Sequence, residues 1–312
     1  MKIFLWHVHG AWTTSFVQGR HDYLIPVLPD RGPWGRGRAR TWDWPDSVVE
    51  VTPADAARAR VDVVILQRPE ELSVLAETWL GGQRPGRDVP AIYLEHNAPQ
   101  GRVNEMRHPA ADRTDLSVVH VTHFNDLFWD TGQTPTRVIE HGVVDPGDRY
   151  TGELARAAVV INEPARRARV TGTDLVQRLG GALPLDLFGI GAGALGGIEN
   201  LPQGELHDAM ARRRVYLHPM RWTSLGLSLI EAMHLGMPVV ALATTEAPEA
   251  VPAEAGVVST RVDVLETAVR RLLDDPEQAR LMGKAARAVA LARYGLPRFL
   301  ADWDALLADV TR

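Results

Sequence analysis

A chain of 312 residues exceeds what one small hydrophobic core supports and predicts two domains of ordinary size. With 45% hydrophobic and 23% charged residues and a net charge of −5, it has a globular composition and argues against a nucleic-acid partner held mainly through phosphates. Cysteine is absent, which excludes disulfides, thiolate catalysis and Cys-based zinc sites, no apolar run is long enough to span a bilayer, and "MKIFLWHVHG" lacks a signal-peptide cleavage site, so a cytoplasmic location is expected.

The first half opens on "KIFLWHVHG", a strand-like run expected to end at Gly10, followed by "PDRGPWGRGRARTWDWPD", whose glycines and prolines exclude regular structure. Next come "VDVVILQRP", "VPAIYLEHNAP", "LSVVHVTHF" and "TRVIEHGVVDP", β-branched runs each stopped by a turn former or polar residue. Helical lengths such as "PEELSVLAETWLGG" separate them, which implies a parallel sheet covered on both faces. The rhythm pauses at "VVDPGDRYTGEL", predicting a linker near Asp145–Gly152, and restarts with "AAVVINEPARR", "LPLDLFGIGAG", "RRVYLHP" and "MPVVALATT". From Val262 the chain reads as strongly helical. Two doubly wound halves predict ligand binding at the carboxyl ends of their strands, in a cleft. "GAGALG" matches G-x-G-x-x-G after a strand, but the next strand, "RRVYLHP", brings no acid to hold a ribose diol. That segment is read as a glycine-rich loop, and no nicotinamide or flavin is expected.

The stretch "RWTSLGLSLIEAMHLGMPVV" (Arg221 to Val240) carries the most chemistry. Leu227, Ile230 and His234 fall at i, i+3 and i+7 of a short helix that Gly236 stops before Pro238. The preceding "TSLG" leaves unpaired N–H groups at the helix start, a favourable place for an anion. Glu231, just over one turn in, cannot be left unpaired cheaply. It either forms a salt bridge with an arginine or accepts hydrogen bonds from a diol such as a ribose. Lys2 and Lys284 are the only lysines, so a fixed cation in any site has to be arginine. Arg166, Arg167 and Arg169 cluster in "VVINEPARRARVTGTDLV", either as forked phosphate ligands or as a solvated basic loop, whereas Arg212–Arg214 reads as surface charge. His120, His123 and His141 with Asp126 fit no metal-ligand spacing, so no metal is expected.

"SLGLSLIEAMHLGMPVVALATTEAPEAV" resembles the donor-binding segment of the retaining glycosyltransferases of family 4. Glu231-Ala232-Met233, Gly236, Pro238-Val239-Val240 and Pro248-Glu249 match that family's pattern in order and spacing. The likeness continues through "AGVV" and "LLDDPEQARLMGKAAR" and back through "LHP", "QGELHDAM" and "VIEHGVVDP", covering the second half more fully than the first. It implies an α/β, GT-B fold of two Rossmann-like doubly wound domains facing a central cleft. Residues 1–147 would form the acceptor-side domain and 148–295 the nucleotide-sugar-binding domain, with a helix in 296–312 packing back on the first domain.

The implied activity is transfer of a sugar, with retention, from a nucleotide-diphosphate donor to a soluble small-molecule or saccharide acceptor, with no metal or other cofactor. Glu231 takes the place of the ribose ligand. Thr223 stands where the first acid of the family's Glu-x7-Glu pair contacts the donor sugar, and it brings no charge. Thr223, Ser224, Leu225, Gly226 and Leu227 would hold the diphosphate, with Arg166 or Arg167 supplying charge and Gly10 allowing a close approach. His96, in "YLEHNAP", would position the donor sugar or stabilise an oxocarbenium-like transition state. Trp34, Trp42 and Trp44 either stack on the acceptor or anchor their loop. No basic amphipathic helix of the membrane-docking kind is present, in keeping with a soluble acceptor. Thr223 and the missing lysine keep open a catalytically silent homologue that binds a nucleotide sugar or supports an active partner. A sugar-nucleotide epimerase on the same fold is a further alternative.

Overall fold

The computed structural model describes residues 1–312, which divide into two compact units: Met1–Val144 together with Leu296–Arg312, and Asp145–Gly295. The first unit thus closes at Val144 rather than at 147.

Its strands are β1 (Lys2–Leu5), β2 (Asp22–Pro26), β3 (Val48–Val51), β4 (Val63–Leu66), β5 (Ala91–Glu95), β6 (Ser117–His120) and β7 (Thr136–Val138). They pair in parallel in the order β3-β2-β1-β4-β5-β6-β7. The continuous apolar runs follow from this, because a parallel sheet is buried on both faces, as Val63–Leu66 is along its whole length. One face packs Phe4, Trp6, Val64, Leu66 and Tyr93 against Trp79. On the other, Trp12 and Phe16 stack at 4.8 Å and meet Trp303 edge-on at 5.6 and 4.9 Å. Helices α1 (Gly10–Phe16), α2 (Pro53–Ala56), α3 (Ala76–Trp79) and α4 (His123–Phe128) connect the strands. The helix expected over "PEELSVLAETWLGG" is broken: a wide turn over Glu71–Leu75 is kinked at Ser73 before α3 begins. The buried Glu71 carboxylate there accepts from Gln67 N–H at 2.7 Å and Arg68 Nε at 2.5 Å, fixing the end of β4.

The second unit has strands β8 (Leu154–Val160), β9 (Leu185–Phe188), β10 (Arg213–His218), β11 (Val239–Leu242) and β12 (Gly256–Ser259), parallel in the order β12-β11-β10-β8-β9. Its helices are α5 (Pro164–Arg167), α6 (Thr173–Gly180), α7 (Gln203–Ala211), α8 (Leu227–Leu235), α9 (Ala247–Ala250), α10 (Val262–Asp274) and α11 (Pro276–Tyr294). α12 (Leu296–Val310) follows and belongs to the first unit, where Phe299, Trp303, Leu306 and Leu307 form one buried stripe. Asp145, where the second unit begins, is forked by Arg287 through two 2.8 Å bonds. "GAGALG" forms a single 3₁₀ turn, Ala192–Leu195, between left-handed Gly191 and Gly196, rather than the start of a long helix.

In each sheet the direction of winding reverses once, between β1 and β4 in the first unit and between β8 and β10 in the second. Ligands of doubly wound sheets bind outside the carboxyl ends of such strands. The two units are both Rossmann-like, the make-up of the GT-B fold.

Candidate active site

At the second unit's reversal point, the loop after β8 meets the loop after β10. Arg221 and Trp222 both donate backbone N–H bonds to the Val170 carbonyl, at 2.9 and 3.1 Å. Gly172 sits between them in the left-handed region (φ 73), where a Cβ would lie 2.0 Å from the Pro219 carbonyl oxygen, so no other residue fits without moving the loop. Gly226 is constrained differently: a Cβ there would lie 2.6 Å from the ring of His218. That ring is buried at the end of β10, and burial pushes its pKa down to about 4, so it packs as a neutral group.

α8 starts at Leu227 with no side chain capping it. The Leu229 N–H donates to the Gly226 carbonyl at 3.0 Å, which leaves the N–H groups of Leu227 and Ser228 and the positive end of the helix dipole available to an anion. Thr223 and Leu227 are half-buried and Ser224 and Leu225 are buried, so this loop presents mostly backbone.

Glu231, only 6% exposed, lies just over a turn inside α8. Its partner is not an arginine. Gln203 donates to Oε1 at 3.2 Å, His207 Nε2 stands 3.7 Å from Oε2, and the two side chains meet each other at 2.7 Å. Both come from α7, one turn apart. A carboxylate has about four acceptor positions, so one hydrogen bond of ordinary length leaves capacity for a diol. Gln203 and His207 were not singled out by the sequence; their only signal is the i, i+4 spacing of two polar side chains on one helix.

The structure separates the arginine candidates. Arg166 is exposed and ion-paired with Glu163. Arg169 and Arg221 share Asp174, at 3.0 Å and at 2.5 and 2.8 Å. Arg167 is half-buried with no ion pair, and burial, followed by the neighbouring Arg166 charge, lowers its pKa. It is the arginine of this cluster that forms no ion pair, although the Glu163 charge, already held by Arg166, acts on it from farther off. Arg212–Arg214 is not loose surface charge. Arg212 pairs with Glu153, Arg213 holds Asp186 at 2.8 Å, and Arg214 donates to the Gly152 carbonyl at 3.0 Å.

In the first unit, His96 immediately follows β5 and is buried. Its Nε2–H donates to Gln67 Oε1 at 3.0 Å, and the Gln67 amide in turn donates to the Trp6 carbonyl at 2.7 Å. The His9 ring lies 4.0 Å away and Trp12 5.3 Å. Burial, then the neighbouring His9 and His141, hold the His96 pKa well below the usual histidine range. The ring is therefore a neutral dipole. Gly10 does not end the first strand; β1 stops at Leu5, and Gly10 is the first residue of α1. A Cβ there would make only ordinary contacts, at 3.5 Å from Trp42 and 3.7 Å from His7, so the protein itself does not require glycine at this position.

Of the three tryptophans, Trp44 is an anchor, its Nε1 donating to Thr14 Oγ1 at 2.8 Å. Trp34 lies under the Arg68 guanidinium at 4.1 Å, and Trp42 is half-buried beside Gly10. His141 lies beyond β7 rather than within a strand, and His120 faces Asp126 at 3.7 Å. No group of three His, Asp or Glu side chains is arranged to hold a metal ion.

Two Rossmann-like units, one with a buried acid beside an uncapped helix start, define the chain as GT-B in fold. Residues 197–289 match the model of the family described as glycosyl transferases group 1, a span that includes Gln203, His207, the Thr223–Leu227 loop and Glu231. Over 89 residues the chain is 37% identical to sulfoquinovosyl transferase SQD2 of Arabidopsis thaliana, covering 27% of this chain and 18% of that relative's length. Among solved structures, sucrose-phosphate synthase from Thermosynechococcus elongatus superposes with a TM-score of 0.74 at 15% identity, over 99% of this chain and 98% of that one. Anabaena HepE in complex with UDP-glucose gives 0.73 at 15% identity, over 99% and 100%. At these identities the likeness shows the fold. No helix is long and apolar enough to cross a membrane.

Proposed function

We propose that the chain is a retaining glycosyltransferase of the family 4 type, moving a sugar from a nucleotide-diphosphate donor to a small-molecule or saccharide acceptor. The observation that carries this reading is Glu231, a nearly buried carboxylate held by Gln203 and His207 beside the uncapped start of α8. Glu231 accepts from the ribose hydroxyls, the start of α8 and Arg167 take the diphosphate, and charge developing on the departing phosphate is stabilised by dipoles already in place. Arg167 is preferred to Arg166 because Glu163 already occupies the latter. His96, kept neutral by burial, contributes a hydrogen-bonding dipole toward the donor sugar rather than a positive charge. HepE was crystallised with UDP-glucose, which makes UDP the first nucleotide to try.

Calorimetric titration with UDP, GDP, ADP, TDP and CDP tests the donor site. One diphosphate should bind preferentially, and Glu231→Ala should weaken it by about tenfold to a hundredfold, since a hydrogen bond to a charged group contributes about 1.5–3 kcal/mol. Binding of none of them would sink the transferase reading. Turnover should persist in EDTA, and the product anomer, read by NMR, should match that of the donor.

Thr223 motivates a second reading, a silent homologue that binds the nucleotide sugar without turning it over, because an uncharged side chain stands where an acid contacts the donor sugar in the family. Slow donor hydrolysis by the wild type would count against it.

A further inference from the structure

The Trp/Arg-rich loop after β2 is the part of the first unit that the reading above leaves unused. It closes on itself through paired bonds, Leu28 N–H to the Gly35 carbonyl at 2.9 Å and Gly37 N–H to the Pro26 carbonyl at 3.0 Å. Two of its arginines hold it together. Arg31 forks onto Glu50 at 2.9 and 3.1 Å, and Arg38 donates to the carbonyls of Trp44, Pro45 and Val48. The other two have no such task. Arg36 makes one 3.5 Å contact with the Val8 carbonyl, Arg40 is exposed, and neither has an ion pair.

All four arginines line one cavity of about 410 Å³, together with His7 and Asp30. Counting Glu50 against Arg31 and Asp30 against one of the others, the lining keeps two positive charges, enough to match a dianion. A cavity of this size accommodates a small sugar or polyol with its charged group. Its position is the one expected of a ligand site, since His7 stands two residues beyond β1, at the reversal point of the sheet.

We propose that this cavity binds the phosphomonoester of a phosphorylated sugar or polyol acceptor, with Arg36 and Arg40 as its ligands. Two free guanidinium forks suit the three oxygens of a phosphate better than they suit a single carboxylate. His7 fits the same ligand. Its Nδ1–H is donated to the Gly37 carbonyl at 2.9 Å, and the ring is kept neutral chiefly by burial, which leaves Nε2 as an acceptor for a ligand hydroxyl. Arg31 and Arg38, already satisfied internally, set the shape of the loop. The acceptor role rests on the transferase reading; the anion site does not.

Calorimetry on the full chain at constant ionic strength, with UDP saturating, would use glucose 6-phosphate, fructose 6-phosphate, inositol 1-phosphate and glycerol 3-phosphate. Glucose, glucuronate and inorganic phosphate serve as comparisons. At least one phosphomonoester should bind, glucose should not, and the Arg36→Glu/Arg40→Glu double variant should bind that ester at least tenfold more weakly while its UDP affinity is unchanged. Equal affinity in the double variant, or no binding by any ester, would overturn the site. Inorganic phosphate binding as tightly as the best ester would mark a free-ion site and overturn the acceptor role, and glucuronate binding as tightly would overturn the phosphate assignment. Failure of UDP to bind, with ester binding intact, would overturn the function proposed above rather than this site.

Discussion

At the carboxyl edge of the second sheet, the residues that matter are glycines and backbone. Gly172 and Gly226 permit close approaches, α8 offers N–H groups, and the charged chemistry reduces to Glu231 with its α7 partners and Arg167. At the corresponding edge of the first sheet the chemistry is carried by side chains: His7, His9 and His96, the tryptophans, and a loop with four arginines. Backbone that meets a common group, such as a diphosphate, has few geometric solutions and leaves a fixed spacing of small residues. Side chains that meet a variable partner have many solutions, and a single sequence displays no rule for them.

The largest effect that separates the units should be acid unfolding. Burial lowers the pKa values of His7 and His96, and of His120 to about 4 and His141 to about 3, in the first unit. In the second it lowers His218, to about 4, and His234. Each such ring stays neutral while the unfolded chain takes up a proton, so its stabilisation is complete above the unfolded value of 6.5 and is lost as pH falls toward the folded one. For His120 and His141 the loss by pH 4 is on the order of 3 kcal/mol each. The first unit should therefore unfold at the higher pH. Tryptophan fluorescence reports it nearly alone, because Trp222 is the single tryptophan of the second unit. Glu71 has the opposite sign. Its pKa, raised by burial to about 7, makes stability fall as pH rises from 4.5 to 7, and Glu71→Gln should flatten that part of the profile.

Next in size, Trp303→Ala should destabilise the first unit by about 3–5 kcal/mol, the usual cost of emptying an aromatic site in a core. Denaturation should show it, while UDP affinity, a property assigned to the second unit, stays put. A parallel loss of UDP binding would mean that the units do not act separately. Smaller again, Arg167→Ala should lower kcat/KM by about tenfold, roughly 1.4 kcal/mol, and Arg166→Ala by much less. The reverse ranking would return the diphosphate role to Arg166. Least affected should be Gln203→Ala. It removes one bond to Glu231, and we expect a severalfold loss of UDP affinity with no change in melting.

Both sheets could be read in the sequence because buried parallel strands leave uninterrupted β-branched runs, and the helix of Glu231 could be read because apolar spacing and Gly236 bound it. Other features depend on contacts across the chain. Gln203 and His207 gain meaning only when α7 packs against α8, and Arg167 differs from Arg166 only because the fold turns one toward Glu163. The kink at Ser73 falls inside a run whose apolar spacing is helical, and the carboxylate of Glu71 beside it reaches back to the end of a strand, a contact that no periodicity encodes. Gly10 reads as a strand end because "LWHVHG" stays apolar and alternating after the ladder has stopped at Leu5.

The return of α12 to the first unit sets an order of events during synthesis. Phe299 and Trp303 leave the ribosome only after every residue of Asp145–Gly295, so the unit begun first is completed last. At about 5–20 residues per second that wait lasts on the order of ten seconds. Through it, the aromatic face of Trp12 and Phe16 that α12 will cover stands open, a surface for chaperones to hold and for neighbouring nascent chains to find.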